Sequence, residues 1–142
     1  KNPYALSKYS MEQLNHNNSV GMRFTTVYGP GARKHMLIPK ILRNDVHYIN
    51  VNHIRDFIHV NDIVSAVQVM MNVTFRGVID VGTGISNKLV DIADYFKIDY
   101  KSVIGGETER IDNTADTSIL NKFGWRAKTN LYEYIEQNKV VN

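Results

Sequence analysis

The sequence of 142 residues contains no cysteine. This absence excludes a disulfide scaffold, a thiolate nucleophile and any site in which cysteine would hold zinc or an iron–sulfur cluster. It is compatible with the cytoplasm, which is the location we expect. No apolar run approaches the ~20 residues of a membrane span, so we expect no membrane association.

Charge of one sign is also scarce, since 17 Lys and Arg against 14 Asp and Glu leave a formal net charge of +3. The cations form no basic stripe, so we expect no nucleic-acid partner. The five histidines are scattered without the spacing of zinc ligands, and we expect no metal site. Disorder is not expected, because 43% of the residues are hydrophobic, enough for one core in a chain of this length.

A glycine-rich dinucleotide fingerprint is missing as well. Gly82-Thr83-Gly84 is followed by Asn87 where the third glycine would stand, and Gly29-Pro30-Gly31 is followed by Lys34 there. We therefore interpret Gly82-Thr83-Gly84 as a tight turn. Because the pyrophosphate of NAD rests on the helix N-terminus that follows such a fingerprint, we do not expect this chain alone to bind NAD.

Predicted strands alternate with predicted helices, which is typical of an α/β chain. The strands are predicted over 20–27, 46–51 and 77–81, with a short extended piece over 55–59. The helices are predicted over 4–15, 36–42, 61–71, 88–96 and 118–123 and from 131 onward, and a turn is predicted over 16–19. The predicted N-caps are Asn61 or Asp62, Ser86 or Asn87, and Thr129 or Asn130.

Tyr4 and Lys8 are four residues apart in the first predicted helix, so they share one of its faces. An ammonium group near a phenol favours the phenolate, which suits a general acid or base that acts on a hydroxyl proton. The same spacing is also common on surface helices that carry no chemistry. The spacing alone favours that second interpretation.

Two further positions are candidates for ligand binding. Thr26 and Val27 end a predicted strand, and ligands of open α/β sheets lie at the carboxyl ends of strands. Arg55 can grip a phosphate through two parallel hydrogen bonds. The alternatives are a strand that merely ends there and a structural pair between Arg55 and Asp56. His59 alternates with apolar neighbours, which favours a packed side chain over a catalytic one.

Six stretches of the sequence, taken in order, resemble the nucleotide-sugar epimerase/dehydratase family of extended short-chain dehydrogenases/reductases. They are 2–8, 21–30, 55–62, 80–84, 115–118 and 123–129. The resemblance implies an α/β fold that is the C-terminal part of a Rossmann-type enzyme with its small substrate-binding lobe. The N-terminal dinucleotide-binding half would be missing.

The resemblance also predicts how the chain is organised. All of 1–142 would form a single domain. Within it, 1–30 would be the last part of the Rossmann core, and 31–142 would mostly form the substrate-binding lobe. The segment 77–96 is a candidate to return to the core.

The roles of individual residues follow from their matching positions in the family. Tyr4 would take the proton from a sugar hydroxyl as hydride leaves to NAD, and Lys8 would hold the nicotinamide ribose. Val27 would contact the nicotinamide, and Thr26 would face the sugar. Arg55 would hold the pyrophosphate of a nucleotide-diphospho-sugar substrate.

A finer resemblance concerns the sugar. Thr26, followed by Val-Tyr-Gly-Pro and then Arg33 and Met36, is similar to the uronic-acid 4-epimerase branch, which favours a UDP-sugar 4-epimerase and adds Arg33 to the substrate-binding candidates. Two stretches depart from the family. The loop 50–54 lacks the glycine that is usual there, and Gly106-Glu107-Thr108 stands in place of an Arg-Pro-Gly.

Two functions therefore stay open. The chain is either a part of an NAD-dependent nucleotide-sugar epimerase/dehydratase, inactive by itself, or a non-catalytic α/β remnant that self-associates. A redox-sensing regulator of the same family is disfavoured, because such a protein would lack Tyr4.

We expect a homodimer in either case. Apolar side chains occupy more than one face of the first predicted helix, and such a helix must bury both faces. They are Tyr4, Leu6, Tyr9, Met11 and Leu14. The strand over 20–27 would in addition present an open edge that can pair with another chain.

Overall fold

The computed structural model describes residues 2–14 and 17–141, and Asn15 and His16 of the predicted helix end and turn lie outside these ranges. The helices are α1 (Pro3–Gln13), α2 (Leu37–Leu42), α3 (Val60–Met71), α4 (Leu89–Tyr95), α5 (Ser118–Lys122) and α6 (Leu131–Asn138). The strands are β1 (Val20–Phe24), β2 (Thr26–Tyr28), β3 (Tyr48–Asn50), β4 (Ile54–Arg55), β5 (Phe57–His59), β6 (Gly77–Val81), β7 (Asn87–Lys88) and β8 (Lys101–Val103). The predicted α/β class is confirmed.

The strands associate in pairs, three parallel and one antiparallel. β1 pairs with β6, β2 with β5 and β3 with β8 in parallel, whereas β4 and β7 are antiparallel. Parallel neighbouring strands require crossover connections, and α3 connects β5 of one parallel pair to β6 of another. β6 has the bounds that the sequence predicted, Gly77–Val81.

The predicted strand over 20–27 exists, but it changes partners at Thr25. The N–H of Thr25 donates to the carbonyl of Val81 at the end of β6, and the N–H of Thr26 donates to the carbonyl of Asp56 just before β5. The chain thus leaves one parallel neighbour and joins another within two residues. A change of strand partner of this kind is the type of place where α/β sheets bind ligands.

The core consists of two apolar clusters. One joins α3, β6 and α5, and the other joins α2, α4 and α6. Burying one large aliphatic side chain contributes roughly 1.5–3 kcal/mol, so these clusters account for most of the favourable free energy of folding. By contrast, α1 contributes no buried residue.

The N-cap of α3 differs from the prediction of Asn61 or Asp62. His59 is the cap, and its Nδ1 accepts a hydrogen bond of 3.2 Å from the N–H of Asn61. The buried carboxylate of Asp62 instead accepts from the N–H groups of Lys128 and Thr129, at 3.0 Å each. Asp62, which local spacing predicted as a possible cap, therefore binds backbone groups that are distant in sequence.

The other two predicted caps have opposite outcomes. Asn130 caps α6 by accepting from the backbone of its first turn, as predicted. The prediction of Ser86 or Asn87 for α4 is wrong, because Lys88 occupies the cap position without a side-chain bond. Asn87 lies in β7, where its Nδ2 donates to the carbonyl of Arg55 at 3.3 Å.

Candidate functional site

The site is organised by the carboxylate of Asp56, which is fully buried. Oδ1 accepts from the N–H and the hydroxyl of Thr83 at 2.9 and 2.6 Å. Oδ2 accepts from the N–H groups of Gly84 at 2.8 Å and Ala115 at 3.2 Å. A buried carboxylate is tolerated when such donors replace water.

These bonds confirm that Gly82-Thr83-Gly84 is a turn. Its N–H groups point at a carboxylate of the same chain, so they do not form a phosphate cradle. The glycines are required here for two reasons: Gly84 has a φ of +76°, and a Cβ added at Gly82 would lie 2.5 Å from Oδ2 of Asp56.

A closed set of three hydrogen bonds links Asp56 to the strand switch. The N–H of Asp56 donates to Oδ1 of Asn113 at 2.8 Å, and Nδ2 of Asn113 donates to Oγ1 of Thr26 at 2.9 Å. The N–H of Thr26 donates to the carbonyl of Asp56 at 2.9 Å, which closes the set. Because Oγ1 of Thr26 accepts in this set, the hydroxyl proton is still available to donate to a ligand.

Arg55 points away from Asp56, because successive side chains of an extended segment face opposite sides. Its Nη1 donates to the carbonyls of Ile54 and Ile111, both at 2.8 Å, and its Nη2 lies 3.1 Å from Nδ1 of His53. Burial lowers the pKa of Arg55 from its ordinary value, an effect that the charge of Glu109 opposes. The alternative of an Arg55–Asp56 structural pair is wrong.

A cavity of about 320 Å³ opens at the strand switch. Its lining residues are Arg23, Phe24, Thr25, Arg55, Asp80, Arg110 and Asn113. Arg23 is neutralised by Glu12 at 2.6 Å and by Asp80 at 3.7 Å. Among the residues that the structure describes, no carboxylate lies within ion-pair distance of Arg55 or Arg110, which leaves two cations facing the cavity.

Six of the seven lining residues, all except Arg55, were not predicted as site residues. Thr25 could have been found from strand alternation, since it faces the side opposite to Thr26; its hydroxyl is buried with no hydrogen-bond partner among the described residues. Arg110 and Asn113 lie in an irregular segment without periodicity. No local signal marks these two residues.

The other predicted site residues lie outside the lining. Thr26 is linked to the cavity through Asn113, whereas Val27 packs against the cluster of α3, β6 and α5. Arg33 is exposed in the loop between β2 and α2. Of the predicted substrate-binding residues, Arg55 therefore lines the cavity, Thr26 is held beside it through Asn113, and Arg33 lies apart.

Tyr4 and Lys8 share one face of α1, as predicted. The Nζ of Lys8 lies 5.5 Å from the centroid of the Tyr4 ring, and Tyr4 is 69% exposed. Neither lines the cavity. The connection between α1 and the sheet runs through a bidentate pair in which Nε and Nη2 of Arg23 donate to Glu12 at 2.7 and 2.6 Å.

Comparison with known proteins identifies the family of the chain. Residues 1–82 match the NAD dependent epimerase/dehydratase family. The chain belongs to this family. Within it, the chain is 26% identical over 148 residues to CDP-abequose synthase of Salmonella muenchen, covering 93% of this chain and 50% of that protein.

A second member of the epimerase/dehydratase family has higher identity over a shorter span. ADP-L-glycero-D-manno-heptose-6-epimerase of Brachyspira hyodysenteriae is 31% identical over 122 residues, which cover 71% of this chain and 38% of that enzyme. The chain thus spans half or less of the length of these relatives.

The fold of the epimerase/dehydratase family is evident in a solved structure. MoeE5 in complex with UDP-glucuronic acid and NAD has a TM-score of 0.68 and 27% sequence identity, covering 84% of this chain and 45% of MoeE5. This likeness and the parallel strand pairs confirm the predicted Rossmann-type α/β fold.

Two kinds of feature are lacking in the described part of the chain. No helix within 2–14 and 17–141 is long and apolar enough to cross a membrane. In the same ranges, no three His, Asp or Glu side chains converge as a metal site would require.

Proposed function

We propose that this chain supplies the substrate site and the acid/base pair of an NAD-dependent enzyme that acts on a nucleotide-diphospho-sugar. The observation that carries the proposal is the cavity, in which Arg55 and Arg110 face the same space without a carboxylate partner among the described residues. Two cations in a partly enclosed space favour an anion such as a diphosphate. The hydroxyl of Thr26 supplies a donor for the sugar.

Arg55 is equipped to hold the diphosphate. Its two Nη1 protons go to carbonyls and one Nη2 proton goes to His53. The Nε–H and one Nη2–H remain without a partner among the described residues. Two guanidinium donors can hold two phosphate oxygens.

The residues present fit one end of NAD. The exposed phenol of Tyr4 and the ammonium of Lys8 on the same face suit the nicotinamide ribose, whereas the N–H groups of the Gly82-Thr83-Gly84 turn are engaged by Asp56. NAD, when bound, supplies the acceptor for a hydride from the sugar. Tyr4 takes the proton from the sugar hydroxyl oxygen and gives it back, and Lys8 donates to the ribose.

The finer assignments are also proposals. We favour a UDP-sugar 4-epimerase with a uronic-acid substrate, which the Thr26 and Arg33 pattern supports and to which the UDP-glucuronic acid in MoeE5 adds weight. Arg33 would meet the sugar acid and Val27 the nicotinamide. We propose one domain over 1–142 whose segment 77–96 returns to the core, in line with the β1–β6 pairing, and a cytoplasmic location.

The test of the enzymatic proposal uses the chain joined to its upstream sequence. A panel of UDP-, CDP- and ADP-sugars is incubated with NAD, and products are separated by chromatography. Conversion of a UDP-uronic acid to its 4-epimer is the expected result. Arg55→Ala is expected to raise KM by roughly 10–100-fold, because a charge-assisted bond contributes ~1.5–3 kcal/mol. No conversion of any sugar would contradict the proposal.

The second candidate, a non-catalytic self-associating chain, is favoured by the exposure of α1. Leu6, Tyr9 and Met11 are each more than half exposed, and β1 pairs only with β6 within the part of the chain described. We propose a homodimer through these surfaces, compatible with either function. Light scattering at ~100 µM should report about twice 16.3 kDa.

A matched pair of variants locates this interface. Leu6→Lys on α1 should restore the monomer mass, whereas Met71→Lys at the exposed end of α3 should not. A wild-type chain that stays monomeric over this concentration range would show that α1 is not an association surface.

A further inference from the structure

His53 is a buried histidine, 4% exposed, just before β4. Its Nδ1 lies 3.1 Å from Nη2 of Arg55, and its Nε2 lies 3.2 Å from Oε2 of Glu109 without forming a hydrogen bond to a described residue. A guanidinium has donors only, so Nδ1 must accept. The proton of the neutral ring then sits on Nε2, on the side of the carboxylate.

We propose that His53, held as the Nε2–H tautomer between Arg55 and Glu109, is a positioning residue that orients the guanidinium of Arg55 for anion binding. This inference rests on the proposed diphosphate site. The two carbonyl bonds hold Nη1 of Arg55, and the imidazole holds Nη2. With three of its five donors occupied, the guanidinium keeps one orientation at the edge of the cavity that Arg55 lines.

The surroundings of His53 favour the neutral ring. Burial lowers the pKa of His53, and the positive charge of Arg55 acts in the same direction, whereas Glu109 opposes both. The charged groups that act on Arg55 itself are Glu109, Arg110 and Asp112. A neutral imidazole can accept from Arg55, whereas a protonated one has no acceptor left.

The loop that carries Gly105 is shaped to admit the imidazole. A Cβ added at Gly105 would overlap the His53 ring, and the N–H of Gly105 donates to Oδ1 of Asn52 at 2.9 Å. The glycine and the neighbouring Asn52 together close the loop over the ring.

The test compares two substitutions at His53. In His53→Gln, the amide oxygen can accept from Arg55 and the amide nitrogen can approach Glu109. His53→Leu has a similar volume and no acceptor. The affinity of the 142-residue chain for UDP and for inorganic pyrophosphate is measured by calorimetry, with Arg55→Ala as the reference for loss and exposed His35→Leu as the matched control.

We expect His53→Leu to weaken binding of both probes roughly tenfold, the equivalent of one hydrogen bond. His53→Gln should stay within about threefold of the wild type, and His35→Leu should not differ from it. Equal losses in the Gln and Leu variants would overturn the positioning role and indicate simple packing.

The outcomes separate this inference from the proposed function. If Arg55→Ala binds as well as the wild type, or the wild type binds neither probe, the diphosphate site fails. If Arg55→Ala loses binding and His53→Leu does not, only the role of His53 fails. Long-range ¹H–¹⁵N spectra of the ligand-free chain decide the contact independently: an Nε2–H imidazole, identified by its loss in His53→Gln, supports it, and an Nδ1–H imidazole overturns it.

Discussion

Helix α1 and the segment that carries Arg55 both hold candidate functional residues, but in opposite surroundings. Tyr4 and Lys8 stand on a helix without a single buried residue. Arg55 is flanked by Asp56 and His53, both buried, and its guanidinium has partners on three sides. The comparison shows that this chain holds the proposed anion-binding group in place by itself, whereas the proposed acid/base pair is exposed on a helix without buried residues.

The link between the two regions is weak. The pair of Arg23 and Glu12 connects α1 to β1, and the Arg23 side chain is 55% exposed. α1 itself buries no residue against the core. The position of α1 therefore depends little on the core, and changes in the two regions should affect different properties.

The largest effect is expected for Tyr4→Phe, measured as turnover in the chain joined to its upstream sequence. Loss of the phenol removes the proton transfer and should lower kcat ~10²–10⁴-fold, with KM nearly unchanged. Unfolding of the 142-residue chain should not change, because the side chain is exposed. Tyr9→Phe on the same helix is the control. Wild-type turnover in the Tyr4 variant would exclude the acid/base role.

The reverse pattern is expected for Asp56→Ala. Removing this buried carboxylate leaves four donors, one of them buried and three part-buried, without an acceptor, which should lower the free energy of unfolding by about 3 kcal/mol or more. Urea denaturation measures this loss, and the exposed Asp99→Ala should stay within about 0.5 kcal/mol of the wild type. A similar stability of both variants would show that the turn at Thr83 does not depend on Asp56.

The smallest effect concerns pH. The pKa of His53 is lowered in the folded state, so between the ordinary value near 6.5 and the folded value the unfolded chain binds more protons. The stability contributed by the neutral ring is complete above about pH 6.5 and falls as the pH decreases from there.

Urea midpoints at pH 7.5 and 5.5 check this sign. The wild type should lose more stability over that interval than His53→Gln, because the other histidines are common to both. Asp112 and Asp116, whose pKa values are lowered by hydrogen bonds to Thr114 and Ser118, contribute to the change only at more acidic pH. An equal loss in both proteins would mean that His53 titrates alike when folded and unfolded.

Local patterns in the sequence predicted most of the elements. The helix over Ser118–Lys122 ends before Gly124, whose φ is +80°, and Asn130 caps α6 as expected. These features depend on residues within one turn of each other. The wrong or missing predictions have another origin. The cap of α3 and the role of Asn113 involve partners more than 25 residues away. The guanidinium of Arg55 binds two carbonyls and His53 in place of the Asp56 carboxylate.

The sequence by itself determined the alternation of strands and helices, the shared face of Tyr4 and Lys8, the turn at Gly82-Thr83-Gly84 and the family to which they point. Propensity and spacing act over a few residues, and they suffice for these features. Only the tertiary structure decided that Asp56 would hold that turn, that Asn113 would orient Thr26 and that His53 would orient Arg55. The first two depend on hydrogen bonds between segments distant in sequence, and the third on the burial of His53 under the loop that carries Gly105, so no local pattern encodes them.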